Sequence, residues 1–296
     1  MNTPQRLGFA ADDRVLILHA DDIGMCQATV SAWQGLLDEG LLTSASAMAP
    51  CPWFPAAAKL ARERGPAADL GLHLTLNCEW DAYRWGPVAG PGGGLTDALG
   101  YFHSKAIHTH AELDLTVARR ELSAQVARAK ALGIPLSHLD SHMLTLFHPG
   151  LAAIYLDLCR EHRLPPLLPR TAAEVSRLAV VSSEWGDAVA KLALDAEAAG
   201  DAILLDSWEV MPFNAHVEPA ARLAWVCNWL DQRGPGLHCL VGHPADDTPE
   251  LRAIAHKDWP TRVADRHILG SSALRAAITE RGFHLSGLHA LRELLN

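Results

Sequence analysis

The sequence has no CxxC pair, and its six cysteines (Cys26, Cys51, Cys78, Cys159, Cys227 and Cys239) are dispersed over 296 residues. That spacing excludes a zinc ribbon or a disulfide framework and fits reduced thiols. A chain this long also buries enough apolar surface to fold without covalent staples. No apolar run reaches the roughly 18 residues of a membrane span, and the opening stretch lacks the apolar core of a secretion signal. A soluble, cytoplasmic protein is expected. Positive charge is in deficit: 25 Lys and Arg against 34 Asp and Glu give a net charge of −9, so nothing draws the chain electrostatically onto nucleic acid or an anionic membrane. Internal repeats and blocks of like charge are missing. With 49% hydrophobic and 20% charged residues, the composition excludes a disordered or fibrous chain.

Histidine, by contrast, is abundant at 16 residues, and its placement is informative. Strand-like apolar runs alternate with helix-like stretches along the chain. Strands are expected at 15–18, 42–48, 70–76, 136–140, 164–168, 203–210 and 239–241. Helices are expected from Gly24 to Gly40, at 56–64, at 113–132 ended by Gly133 and Pro135, and at 151–161, 184–199 and 219–230. Such alternation predicts an α/β fold with a parallel sheet, doubly wound or closed into a barrel. The glycine-rich stretch at 86–94 reads as a long surface loop; no Lys-Ser/Thr follows it, as a phosphate cradle would require.

Four strand ends collect residues that bind metal or move protons: His19-Ala20-Asp21-Asp22, Gly71 to Asn77, Ser137 to His142, and Val241 to Pro244. In parallel sheets the carboxyl ends of the strands build the active site. The period of two puts Gly71, His73, Thr75 and Asn77 on one side of a strand, facing a lumen, with Leu72, Leu74 and Leu76 on the other. It likewise puts His138, Asp140 and His142 on one face. Each feature alone has a plain structural reading: Asp21-Asp22 as a helix cap, His73 as a hydrogen-bonded core histidine, His243 as a turn residue. Together they point to a divalent metal held by carboxylate and imidazole. One acid of the Asp21-Asp22 pair serves as ligand and the other as general base.

At these positions the sequence resembles the YdjC-like carbohydrate deacetylases of the ChbG/HpnK type. That family reads roughly N-A-D-D-(F/L)-G, T-S-(T/A)-S, G-(L/M)-H-L, (T/S)-H-L-D-S-H and H-P. The counterparts here are His19 to Gly24, Thr43-Ser44-Ala45-Ser46, Gly71 to Leu74, Ser137 to His142 and His243-Pro244. The order and spacing agree, and the stretch Arg281 to Leu285 resembles the family's closing helix and strand. The resemblance implies a single domain over 1–296, a distorted seven-stranded (β/α) barrel of TIM-barrel type, that hydrolyses acetyl groups from N-acetylated sugars. It implies a divalent metal, zinc or magnesium, on Asp22, His73 and His142, with Asp21 as the general base.

On that reading His243 is the acid for the leaving amine, and His138 and Asp140 orient the ligands. Trp80, Tyr83 and Trp85 with Arg84 form a sugar platform, or else pack a loop against the barrel. Arg170 neutralises Asp21 or contacts substrate. Two departures stand out: His19 replaces the family's Asn, and Leu144 and Leu146 replace the His-x-His that usually follows the HLDSH motif. The segment 79–86 marks a distinct branch, so chitooligosaccharide specificity does not carry over. The expected partner is an N-acetylated sugar, with a homo-oligomer left open. The competing readings are a metal-dependent amidase or phosphoesterase on a non-sugar substrate, and a catalytically silent sugar-binding barrel. Retention of both Asp21 and Asp22 argues against the silent barrel, since binding alone needs no base.

Overall fold

The apolar run at 15–18 becomes the centre of the sheet in the computed structural model, which describes residues 1–295. Seven parallel strands are present: β1 (Arg14–Ile23), β2 (Ser44–Ala47), β3 (Leu70–Leu74), β4 (Leu139–Ser141), β5 (Ser207–Val210), β6 (Gly236–Gly242) and β7 (Phe283–Leu285). Their order is β4-β3-β2-β1-β6-β5. β6 runs beside β1 from Arg14 to Ala20. On the other edge of β1, β2 pairs from His19 to Ile23 and β7 fills the lower stretch from Arg14 to Leu16. Alternation along β1 sends Val15 and Ile17 into the larger apolar cluster and Leu16 and Leu18 into a second one with Leu36, Val226 and Ile268. Both faces are therefore buried, as a parallel strand between helix layers requires.

The sheet curls but is not laddered all the way round. Between β4 and β5 the chain makes isolated parallel bridges, Leu139 to Pro166 and Pro169 to Leu205. The strand expected at 164–168 is thus a correction. Pro165, Pro166 and Pro169 carry no N–H, so a continuous ladder cannot form there. Leu167 N–H still donates to Leu139 O at 3.1 Å and Leu205 N–H to Leu168 O at 3.0 Å, which tethers the two sheet edges.

Helices follow their local signals. Gln27–Glu39 stops at Gly40 in the left-handed region, and Ser183–Ala199 runs from a Ser182 cap to a left-handed Gly200. Leu115–Ala131 starts under the Asp114 carboxylate, which accepts from the Thr116 and Val117 N–H groups. Ala172–Ala179, Trp259–Leu269 and Ser272–Glu280 are further helices that the periodicity did not announce. The 86–94 loop is pinned by buried Glu121, whose carboxylate accepts from Val88 and Ala89 N–H at 2.9 and 2.7 Å. Among the described residues no helix is long and apolar enough to cross a membrane, and all six cysteines are free.

Candidate active site

On β1 the odd-numbered residues Val15 and Ile17 lead up one face to His19 and Asp21. Asp22 would by parity point the other way. It does not, because the pairing with β2 shifts register between Ala20 and Ile23 and Asp22 takes a left-handed φ of 64°. A non-glycine residue held there stores strain of about 1–3 kcal/mol, the kind of outlier that clusters at functional sites. The kink brings two adjacent carboxylates to one cavity. Neither caps the next helix, whose N-cap Cys26 makes no side-chain cap bond.

Asp22 Oδ1, His73 Nε2 and His142 Nδ1 converge. His142 Nδ1 lies 3.1 Å and His73 Nε2 3.5 Å from the carboxylate oxygen, and the ligand atoms of the three residues all fall within 4.8 Å of one another. Neither approach has hydrogen-bond geometry, so Asp22 Oδ1 is buried without a hydrogen-bond partner. The far side of each ring is held by a carboxylate. His73 Nδ1 donates to Asp140 Oδ1 at 2.8 Å, and His142 Nε2 to Glu79 Oε2 at 3.0 Å. Because a carboxylate can only accept, these bonds put a proton on each outer nitrogen and turn the inner nitrogens, the ones a cation would take, toward Asp22. Arg262 donates from Nη2 to Asp22 Oδ2 at 2.8 Å, occupying the other carboxylate oxygen. An orphaned buried carboxylate oxygen facing two oriented imidazole nitrogens suits a divalent cation.

The electrostatics agree. Burial opposes charge on His142, but Glu79 and Asp22 outweigh it and push the ring up to about 10. Burial works against the Asp22 carboxylate too, yet Arg262 and His142 hold it well below the usual carboxylate range. Asp140 is likewise held far down, against its burial, by His73 and His19. The cluster is an electrostatic well for positive charge.

Asp21 stands beside this triad. Its Oδ1 is 2.9 Å from His19 Nε2 and accepts from Ser46 Oγ at 3.2 Å, while Oδ2 is 3.8 Å from His243 Nε2. Burial lowers His243 below the ordinary imidazole range. Its backbone N–H donates to Asp265 Oδ2 at 2.8 Å, and Asp265 is itself clamped by buried Arg222 at 2.7 Å. His138 sits deeper. Its Nδ1 meets Ser137 Oγ at 2.8 Å, and its Nε2 is 4.0 Å from Asp140 and unpartnered. Asp140 thus touches His73 directly, whereas His138 packs under it against Gly71.

The cavity above these groups has a volume of about 470 Å³. The opposite wall is apolar, built of Met143, Leu144, Leu178, Trp208, Val210 and Phe213. Leu144, one of the departures from the family motif, belongs to this wall; Met143 and Leu144 both adopt left-handed backbone after His142.

Several expected substrate residues are not brought to this cavity. Trp80 and Trp85 are buried; Trp85 Nε1 donates to Asn77 O at 2.9 Å and Tyr83 OH to Met25 O at 2.6 Å. Arg84 is paired with Asp97 at 2.7 Å and stacked on Tyr101. The aromatic segment therefore packs the loop behind the site, with Trp80 backing Arg262 at 5.5 Å. Arg170 neither reaches Asp21 nor lines the cavity, being paired with Glu197 and Asp206. Thr75 and Asn77 do not line the cavity: Thr75 Oγ1 donates to His73 O at 2.6 Å, and Asn77 joins His103 O and Thr109 to the loop holding Thr145. Glu79, Arg262 and Ser46 are the site residues that sequence reasoning left without a role. Ser46 had a signal, its T-S-A-S motif. Arg262 had none.

Residues 15–280 match the family described as YdjC-like protein. A carbohydrate deacetylase of Thermus thermophilus is 35% identical over 295 residues, covering 100% of both chains. One of Brevibacillus brevis is 33% identical over 172 residues, 57% of this chain and 66% of its own. Among solved structures, a protein of Enterococcus faecalis described as a putative cellobiose-phosphate cleavage protein superposes with a TM-score of 0.73. It is 25% identical, and the match covers 94% of this chain and 99% of that one.

Proposed function

The chain belongs to the YdjC-like family, and from that premise we propose that it is a metal-dependent hydrolase removing the acetyl group from an N-acetylated sugar. The observation that carries this reading is the buried Asp22 Oδ1, without a hydrogen bond and facing His73 Nε2 and His142 Nδ1. We read the curled sheet as a distorted (β/α) barrel and residues 1–296 as one working unit. Asp22, His73 and His142 would hold the cation. Two imidazoles and one carboxylate favour zinc over magnesium, which prefers an oxygen shell. When bound, it supplies Lewis-acid polarisation of the acetyl carbonyl and lowers the pKa of water.

The chain's own residues supply the proton transfers. Asp21, at the cavity and beside the triad, takes the proton of the attacking water. As the new C–O bond forms and the amide C–N bond breaks, His243 receives the proton that Asp21 has taken, its Nε2 standing 3.8 Å from Asp21 Oδ2, and passes it to the departing amine nitrogen, leaving acetate and the free amino sugar. Asp140 and Glu79 keep the two ligating rings in one tautomer throughout. Arg262 keeps Asp22 from rotating by occupying Oδ2.

Mass spectrometry of a panel of N-acetylated sugars is expected to show loss of one acetyl group. Asp21→Asn should keep metal and KM while kcat falls about 10²–10⁴-fold. Asp22→Asn should lose metal. Hydrolysis of phosphoesters with no acetylated sugar turned over would move the reading to a phosphoesterase, and exchanged phenotypes for the two acids would reverse their roles.

A further inference from the structure

We propose that His19 is a positioning residue that joins the base to the metal-ligand scaffold: one ring nitrogen ties Asp21 to Asp140, and Asp140 in turn fixes His73. The kinetic part of this inference rests on the deacetylase reading, whereas the contacts do not. His19 Nε2 lies 2.9 Å from Asp21 Oδ1 and 3.1 Å from Asp140 Oδ2, with Ser46 Oγ at 3.3 Å. Nδ1 meets Ser44 Oγ at 2.7 Å. The ring is fully buried, and the residues facing it come from three strands: Asp21 on its own strand β1, Ser44 and Ser46 on β2, and Asp140 at β4, with His138 edge-on at 5.1 Å. Both carboxylates can only accept, so Nε2 carries a hydrogen; it donates to Asp140 Oδ2 and holds Asp21 Oδ1 beside it as an ion pair.

This position is where the family motif carries asparagine. A shorter amide can donate, but it brings no charge between two carboxylates in a buried site. An imidazole can: burial opposes its protonation, yet hydrogen bonds and charge from Asp140 and Asp21 raise His19 to about 9. The charged ring gives Asp21 a fixed orientation through Oδ1 and leaves Oδ2 facing His243. It holds Asp140 through Oδ2 and leaves Oδ1 for His73. One side chain thereby sets the base and a ligand in register.

The test compares wild type with His19→Asn and His19→Leu. Removal of such an orienting partner should lower kcat about 10–100-fold with KM and metal content unchanged, and Asn should recover part of what Leu loses. In proton NMR, a slowly exchanging His19 Nε2–H resonance should be present in the wild-type protein and absent from His19→Asn, with the His73 and His142 resonances retained. Wild-type kcat in both variants would overturn the proposal, as would absence of that resonance from wild type. Two divalent ions per wild-type chain, falling to one in His19→Asn, would also overturn it, because the cluster would then be a ligand set. If wild type turns over no acetylated sugar, the deacetylase reading fails, while the resonance still decides whether His19 bridges the two acids.

Discussion

Two histidines in edge contact carry opposite linkage. His138 is pushed down to about 3, mainly by burial and then by the neighbouring His19 charge. An unfolded histidine titrates near 6.5, so below that pH the unfolded chain binds a proton that the native chain refuses. Stability from His138 is therefore complete above about 6.5 and is lost as pH falls toward 3, at up to about 1.36 kcal/mol per pH unit. His19, raised to about 9, runs the other way: its contribution is complete below about 6.5 and is lost as pH climbs through 9. The two slopes meet near neutrality. Thermal unfolding from about pH 4 to 8 should show a steep acid limb in wild type and a flatter one in His138→Gln. Equal slopes would mean that His138 is not held neutral.

At the scale of the element, β3 shows what a strand in this sheet must accommodate. Gly71 lies where a Cβ would come within 2.3 Å of the His138 ring, so the glycine admits that imidazole beneath Asp140. Gly71→Ala should overpack the floor and cost about 1–3 kcal/mol in urea unfolding; an unchanged midpoint would show that the ring has room to move. The motif strands were legible because period-two alternation and a polar residue at a strand's end both follow from local sequence. Asp21, His73 and His142 stood out that way as strand-end candidates, whereas Asp22 reaches the cavity against the alternation and the ligand set itself came from the family resemblance. The run at 164–168 was apolar enough to read as a strand, but its prolines remove the donors that a ladder needs. Trp80, Tyr83 and Trp85 look the same in sequence whether they stack on a sugar or pack a loop; only their bonds to Met25 O and Asn77 O decide for packing. Arg262 meets Asp22 across 240 positions of chain, a contact that no local pattern announces.

Across the whole molecule, the candidate metal centre draws on the ends of β1 and β3, the turn after β4 and, through Arg262, the helix Trp259–Leu269. A cation bound only by the native arrangement stabilises it by mass action, about 2.7 kcal/mol at a hundredfold excess over Kd. Chelation should then lower the Tm of wild type by roughly 4 °C and leave Asp22→Asn unmoved. Without the cation, His142 is charged at neutral pH, being raised to about 10 against its burial by Glu79 and Asp22. A ligating imidazole must be neutral, so binding has to expel that proton, and affinity should rise with pH across the neutral range. Calorimetric titration in two buffers of different ionisation enthalpy measures the proton released. Glu79→Gln removes the larger of the two charges that hold it, so the variant should release less while still binding. Proton release equal to wild type in Glu79→Gln, or affinity independent of pH in the native protein, would place the cation away from His142 and break the link between the acidic cluster and the metal.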